Sequence, residues 1–359
     1  MAKADNQEQY LKITGSDEKL PISSKIEYAY TNDGTTLELY VKKPFENMQT
    51  DEADFEAISF AVWSVNPDIK VVLKYNCLEW GNKFPLPTYI DNSNQKRVKA
   101  NIQHYMRFLY RAHKMKTLYA NFSVNPQNDK EVSLFGSLLY DAETCNNLCM
   151  TVPEKKSEVK AKAESETKLK ENHLEKWFVL KSHNENDIHS EVQRLRNETG
   201  VHKLYDQFPC GLFYDGVKQS EEKRLFNTGY FDLWGFNENR DFCLFELKAL
   251  NNKKLGIISE LFFYSCFAHD FKCLAKSNDR KRVRGYNVLA RAIKDAKIKA
   301  YFLVPDLHSF IDSHIDDIIK VMNKRTDGVE YGYIKFNYDS IAKDDSMINL
   351  ENEWKNFKY

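Results

Sequence analysis

Three charged side chains lie within a largely apolar stretch in the second half of the sequence. Asp232 belongs to the apolar run 229–236, and Glu246 and Lys248 belong to the run 242–249. The polar residues between the two runs have turn chemistry, so the stretch predicts two strands joined by a turn. Side chains alternate across a strand, which places Glu246 and Lys248 on the same face. Burying such charges is costly unless something offsets them, and this cost makes the hairpin a candidate for chemistry.

Two carboxylates on adjacent strands, with a lysine beside them, suit the hydrolysis of a phosphodiester. Asp232 and Glu246 would offer hard oxygen ligands to Mg²⁺ or Mn²⁺. Such a metal lowers the pKa of a bound water and stabilises the charge that builds on phosphorus. Lys248 could orient that water, help to deprotonate it and neutralise the transition state. The alternative interpretation is a structural salt bridge between Glu246 and Lys248 at the end of a strand.

This pattern resembles the motif of the PD-(D/E)XK nuclease superfamily, which has the restriction-endonuclease-like fold. The resemblance is carried by an aspartate on one strand and Glu-x-Lys on the next, here Asp232 and residues 246–248. Phe231 stands where the family has a proline, which is a packing feature and not a ligand. The resemblance covers roughly residues 170–340 and does not extend to residues 1–150.

The resemblance implies a role for each residue of the motif. Asp232 and Glu246 would bind the metal, and the backbone carbonyl of Leu247 would be a further ligand. Lys248 would position the attacking water. The implied activity is that of a Mg²⁺- or Mn²⁺-dependent nuclease, expected to be an endonuclease, and the family analogy favours genome maintenance or defence.

The family often takes a further acid from the helix that precedes these strands. We expect Glu191 to fill this role, as a catalytic residue and a direct or indirect metal ligand, with Glu175 as its rival. The apolar helix predicted after the second strand carries Glu260 and Tyr264 on one face. These two residues are candidate helpers at the site, although an ordinary amphipathic helix edge explains them equally well.

Two basic stretches are candidates for contacting a nucleic-acid backbone. One is the polar stripe of a helix predicted over 95–116, and the other is the run 272–291 that follows the apolar helix. Clustered Lys and Arg suit phosphate binding, whereas the alternatives are a solvated helix face, a localisation signal or a solvated loop. The expected nucleic-acid-binding residues are Lys96, Lys99, Arg107, Arg111, Arg280, Lys281, Arg282 and Arg284.

The order of the predicted elements indicates an α/β (α+β) fold built in two parts. We expect an N-terminal α/β-type domain of unassigned fold over 1–150 and a charged linker over 151–170, where the composition shifts to Lys, Glu, Ala and Ser. The nuclease-like domain would occupy 171–359, as a mixed sheet flanked by helices. The first domain would serve recognition, regulation or oligomerisation.

Composition bounds the remaining possibilities. Basic and acidic residues balance at 52 each, so any nucleic-acid surface must be local. No apolar run approaches the length of a membrane span, and the seven scattered cysteines favour reduced thiols and a cytoplasmic location. The expected partner is nucleic acid, with DNA favoured over RNA. We expect no association with a membrane, and a homodimer is an alternative to a monomer. A catalytically inactive nucleic-acid-binding module, an RNA nuclease and a non-enzymatic interaction protein remain alternatives.

Overall fold

The structure is a computed structural model, and its elements confirm the mixed α/β class. It describes residues 9–45, 54–77, 96–150, 170–186, 188–214, 224–226, 229–250, 254–271 and 296–357. Across these ranges we find no helix whose length and apolar character would let it cross a membrane.

The first half of the chain contains a four-stranded sheet with helices beside it. The strands of this half are β1 (Gln9–Lys12), β2 (Lys19–Ile22), β3 (Ile26–Tyr30), β4 (Thr36–Val41), β5 (Lys70–Tyr75), β6 (Phe122–Val124) and β7 (Leu148–Met150). Strands β1 and β2 pair only with each other among the described strands. The helices of this half are α1 (Phe55–Val65), α2 (Lys96–Leu118), α3 (Pro126–Leu139) and α4 (Ala142–Asn147). The sheet order is β3-β4-β5-β6, in which β3 and β4 are antiparallel and the remaining pairs are parallel. The turn between β3 and β4 uses Gly34 at φ 69°, a conformation that glycine adopts without steric cost.

The second half contains a five-stranded mixed sheet. The strands of this half are β8 (Val201–Pro209), β9 (Leu212–Tyr214), β10 (Tyr230–Asn237), β11 (Phe242–Leu247), β12 (Ile298–Val304) and β13 (Glu330–Lys335). Its helices are α5 (Glu171–His183), α6 (Ser190–Thr199), α7 (Gly256–Phe271), α8 (Ser309–Met322), α9 (Tyr338–Ala342) and α10 (Leu350–Asn356). The sheet order is β13-β12-β11-β10-β8, with β9 outside it. Strands β8, β10 and β11 are antiparallel neighbours, whereas β11, β12 and β13 run parallel.

The two faces of this sheet are covered by different helices. Cys243, Phe245 and Leu247 of β11 share a core with α5 and α6, while Phe242 and Leu244 belong to the core that contains α7 and α8. Because side chains alternate along a strand, Glu246 projects to the same side as Leu244, towards α7. The sheet therefore separates the α5 side from the side on which the predicted catalytic glutamate lies.

The halves before and after the predicted linker share packed structure. Helix α1 packs against α7 and α8, and one continuous buried core includes residues from both sheets. Strand β7 of the first half also pairs with β9 of the second, with Cys149 opposite Phe213. Residues 151–169 of the predicted linker lie outside the described residues. The division into two domains remains a prediction, and the packing joins the two parts closely.

Candidate active site

The hairpin of β10 and β11 brings Asp232 next to the end of β11. The regular pairing of the two strands ends at Leu233 and Phe245, and one further step of the same register would place Asp232 opposite Glu246. At this point the backbone amide of Leu247 donates a hydrogen bond to Asp232 Oδ2 at 2.8 Å. The aspartate is thus held by the backbone of the neighbouring strand, one residue from the predicted glutamate.

Lys248 links the strand to helix α7. Its ammonium group donates to Glu246 Oε1 at 2.7 Å and pairs with Glu260 Oε2 at 2.9 Å. The salt bridge that formed the alternative interpretation is therefore present, but it is part of a larger cluster. Glu246 is only 3% exposed, and its second oxygen, Oε2, has no hydrogen-bond partner among the described residues. A buried carboxylate oxygen without a donor is costly, so this atom marks a place where a ligand would be favourable.

Helix α5 contributes an acid that the sequence interpretation missed. Glu171, in the first turn of α5, acts electrostatically on both Asp232 and Lys248. The contacts of the cluster join Asp232 to the Leu247 amide and Lys248 to Glu246 and Glu260, and Glu171 adds a longer-range electrostatic effect on Asp232 and Lys248. The only sequence signal for Glu171 was its position as the first acid of the helix that starts the second half.

Excess negative charge and burial shift the protonation of the cluster. Burial raises the pKa of Asp232 to about 7, against the opposing effects of Lys248 and the Leu247 amide. Burial and the nearby Asp232 raise the pKa of Glu246 well above its ordinary range. The pKa of Lys248 is raised well above its ordinary value, because the surrounding carboxylates outweigh the effect of its burial. Lys248 thus stays protonated at neutral pH, while the two carboxyl groups hold protons more tightly than usual.

These shifts predict how the stability of the metal-free protein depends on pH. A carboxyl group with a raised pKa binds more protons in the folded state than in the unfolded chain. The free energy of unfolding should therefore fall as the pH rises from the ordinary aspartate value of 3.8 to about 7. Asp232→Asn should flatten this fall, by at most about 1.4 kcal/mol per pH unit for a single proton. Urea unfolding of both proteins in a chelator, over a series of pH values, measures the slope, and equal slopes would contradict the assignment.

The two helix acids predicted from sequence have other partners. Glu191 lies on α6, where its Oε2 accepts a hydrogen bond from the Asn337 amide at 3.0 Å and lies 3.9 Å from Arg194. Among the described contacts it has none with Asp232, Glu246 or Lys248. The expectation that α6 supplies the helix acid is therefore not supported by these contacts, because α6 packs on β8 and α5, and Glu191 bonds to the amide of Asn337, which follows β13.

Glu175, the rival to Glu191, is buried one turn after Glu171 on α5. It accepts a hydrogen bond from Gln207 Nε2 at 3.0 Å. Gln207 has a φ of 45°, a left-handed conformation that is strained for a residue with a side chain. Register places Gln207 on β8 between the partners of Phe231 and Leu233, beside Asp232. Glu175 thus holds a residue of the strand next to Asp232. Glu171 is the α5 acid that acts electrostatically on Asp232 and Lys248.

The helper positions on α7 lie at the cluster as expected. Glu260 pairs with Lys248, and Tyr264, one turn later, is 4% exposed. Burial raises the pKa of Tyr264 well above its ordinary value, and the neighbouring Glu246 raises it further. Both residues therefore face the end of β11, as the sequence interpretation proposed.

The predicted phosphate-tracking face of α2 is buried and contacts α1 and α7. Arg111 is 2% exposed and forms a bidentate pair with Glu56, and Lys114 pairs with Asp270 at 3.1 Å. Arg107 is 3% exposed and stacks on the ring of Phe263. The prediction that Arg107 and Arg111 lie on a nucleic-acid-binding surface is wrong, and so is the alternative of a solvated face. A signal was present in the sequence: Glu56 is the one acid of the apolar helix α1, and Asp270 is one of two acids in the apolar helix α7.

The other predicted nucleic-acid contacts lie outside the described residues. Arg280, Lys281, Arg282 and Arg284 fall in the undescribed range 272–295. Lys96 and Lys99 lie in the first turns of α2, but their side chains are not described. These six residues remain predictions.

No group of three or more His, Cys, Asp or Glu side chains in the described ranges is arranged to hold a metal ion. The strand register nevertheless places Asp232 one step beyond the last pair, across from Glu246, and Glu246 Oε2 has no hydrogen-bond partner among the described residues. The arrangement fits a cation held by a few protein oxygens and completed by water, which is how Mg²⁺ commonly binds.

The comparisons with known proteins do not assign the chain to a family. The sequence matches no family model. A search of curated proteins and a search of solved structures also found no match.

Proposed function

We propose that this protein is a metal-dependent nuclease that hydrolyses phosphodiester bonds, with DNA as the favoured substrate. The observation that carries the proposal is the acid cluster at the end of β11. Asp232, Glu246 and Lys248, chosen from sequence, lie together there with Glu260, and Glu171 acts on Asp232 electrostatically. A structural salt bridge needs one acid and one base, whereas this cluster holds acids in excess.

The residues present fit the cation that the PD-(D/E)XK resemblance implies. Asp232 and Glu246 would hold it, together with the Leu247 carbonyl. Burial is the main cause of their raised pKa values, with a further contribution from neighbouring carboxylates, and a cation would offset both effects. Glu171 would support the site from α5. When bound, a divalent cation would acidify a coordinated water and neutralise charge on the phosphate.

Lys248 has a narrower role than the sequence allowed. A lysine whose pKa is raised well above its ordinary value is a poor general base at neutral pH. It can donate hydrogen bonds to the attacking water or to a phosphate oxygen, and it holds Glu246 and Glu260 in place. We therefore assign Lys248 to orientation and charge neutralisation, and not to removal of the proton.

Asp232 and Glu246 are positioned by the strands and not by flexible loops. The Leu247 amide fixes one oxygen of Asp232, and Lys248 fixes one oxygen of Glu246. Glu246 Oε2 has no hydrogen-bond partner among the described residues and would be open to a ligand. Such preorganisation lowers the cost of arranging the reacting groups, because the fold has already ordered them.

The test is a cleavage assay with the full chain. Supercoiled plasmid, linear duplex, single-stranded DNA and single-stranded RNA are incubated with Mg²⁺, with Mn²⁺ and with a chelator. Cleavage that requires the metal supports the proposal, and the preferred substrate identifies the nucleic acid. Binding to these substrates without cleavage in either metal would instead support an inactive nucleic-acid-binding module, and neither binding nor cleavage would overturn both.

A further inference from the structure

Arg107 is a buried cation without an acidic partner among the described residues. Its Nε and Nη1 are shielded from solvent and have no hydrogen-bond partner. The guanidinium carbon lies 3.8 Å from the ring centroid of Phe263 and 5.9 Å from that of Tyr264. Stacking on the Phe263 ring fixes the position of the guanidinium.

The other buried cations on the same face of α2 are paired. Arg111 has Glu56, and Lys114 has Asp270. Leaving an arginine buried without a carboxylate is costly, whereas an unbranched apolar side chain would pack on Phe263 without that cost. Arg107 is therefore poorly explained as a stabilising residue, and a role at the neighbouring site is the better account.

Tyr264 connects Arg107 to the acid cluster. Its ring is buried on α7, next to Phe263, and its centroid lies 5.9 Å from the guanidinium carbon of Arg107. Both Glu246 and Arg107 act electrostatically on its phenol. Within the cluster, Glu246 Oε2 is buried and has no hydrogen-bond partner among the described residues. Tyr264 is thus in contact with Arg107 on α2 and electrostatically coupled to Glu246 on β11.

We propose that Arg107 is a positioning residue of the active site, which holds Tyr264 against Glu246 from the first half of the chain. The active site is then completed by α2, and the first half is part of the catalytic unit. This inference rests on the proposed nuclease function for its effect on rate, but the contact between Arg107 and Tyr264 can be tested without any cleavage.

The experiment uses three variants of the full chain. Arg107→Met removes the charge and keeps an unbranched apolar stem, and Arg107→Lys keeps the charge without the planar stacking group. Lys114→Met is the matched control, because it removes a buried cation from the same face of α2 at a site away from Tyr264. Urea unfolding of each variant establishes that it is folded.

The first readout is the position of Tyr264. Fluorotyrosine is incorporated, and the ¹⁹F signal of Tyr264 is identified among the 20 tyrosines by its loss in Tyr264→Phe. We expect Arg107→Met to shift this signal, Arg107→Lys to shift it less, and Lys114→Met to leave it in place. An unchanged signal in Arg107→Met, or an equal shift in Lys114→Met, would overturn the proposal.

The second readout is the split between kcat and KM in Mg²⁺-dependent cleavage. Arg107→Met should lower kcat by about 10- to 100-fold with KM within about threefold, because a misplaced group affects the chemical step more than substrate binding. Arg107→Lys should recover part of the rate. A wild-type kcat in Arg107→Met would overturn the positioning role. If the wild-type protein does not cleave, the nuclease proposal fails, and the ¹⁹F signal alone decides whether Arg107 holds Tyr264. If Arg107→Met does not fold, Arg107→Lys decides in the same way, with an intermediate shift and rate in support and wild-type values against.

Discussion

Replacing Glu246 with glutamine should remove metal-dependent cleavage, with a loss in kcat of at least about 100-fold. Glutamine keeps the shape of the side chain and can still accept the hydrogen bond from Lys248. It removes the negative charge that would hold a cation together with Asp232, and placement of the metal depends on both carboxylates. The measurement is the initial rate of plasmid cleavage in saturating Mg²⁺.

Folding should be retained in this variant, so that the loss can be assigned to the chemistry. Burial already favours the neutral form of Glu246, because its pKa is raised well above the ordinary range. The free energy of unfolding of Glu246→Gln should therefore stay within about 1 kcal/mol of that of the wild type. A large loss of stability would assign Glu246 to the structural salt bridge instead.

The matched control is Glu191→Gln, which tests the placement of the helix acid. Glu191 contacts the Asn337 amide and Arg194, so its replacement should leave kcat within about twofold of the wild type. A loss as large as that of Glu246→Gln would restore α6 as the source of the helix acid and contradict the geometry described above. Glu171→Gln, on α5, should show the greater loss of the two helix variants.

Replacing Arg111 with methionine should destabilise the protein by about 3–5 kcal/mol, because it leaves Glu56 buried without a cation. Glu56 has no solvent exposure, and its carboxylate accepts from Arg111 Nε at 2.5 Å and from Nη2 at 2.6 Å. Burial outweighs Arg111 and raises the pKa of Glu56 even in the wild type. The loss should be greater at pH 8 than at pH 5, since Glu56 can take up a proton at the lower pH. Urea unfolding at the two pH values measures the effect.

The double variant Glu56→Leu with Arg111→Met separates the pair from general damage to the core. When both charges are absent, no buried ion is left unpaired, and the stability should return to within about 1–2 kcal/mol of the wild type. If the double variant is as unstable as Arg111→Met alone, the contribution of Arg111 lies in its packing on Phe55 and not in its charge. Because Ser259 of α7 also donates to Glu56, the pair contributes to the contact between the two halves.

Local residue patterns were sufficient to predict the hairpin and most of the helices and strands around it. Strand β11 is buried on both faces, and a strand of this kind is a short apolar run that ends where its charged residues begin. The turn 237–241 follows from residues that favour turns, so the pairing of β10 with β11 could be expected from neighbours in sequence. Alternation along the strand then determined that Glu246 and Lys248 share a face.

The choice among helix acids could not be made in this way. Glu171, Glu175 and Glu191 are all acids on helices that precede the sheet, and periodicity assigns each to a helix without saying which strand that helix crosses. Helices α5 and α6 both pack on β8, but α5 also reaches β10, whereas Glu191 of α6 bonds to the amide of Asn337 after β13. This difference arises from packing between elements far apart in sequence, which no local pattern records.

The face of α2 shows the same division between local pattern and packing. Helical spacing places four residues on one side of the helix, because residues three and four apart are neighbours on its surface: Gln103, Arg107, Arg111 and Lys114. That this side is buried follows only from the packing, because the partners Glu56 and Asp270 come from α1 and α7. A charged helix face predicts exposure to solvent only if no residue of opposite charge packs against it. Such a residue can come from any position in the sequence. Local pattern thus indicated the residues at the end of β11 that we propose for the chemistry, and the packing of α7 on the sheet brought Glu260 to Lys248.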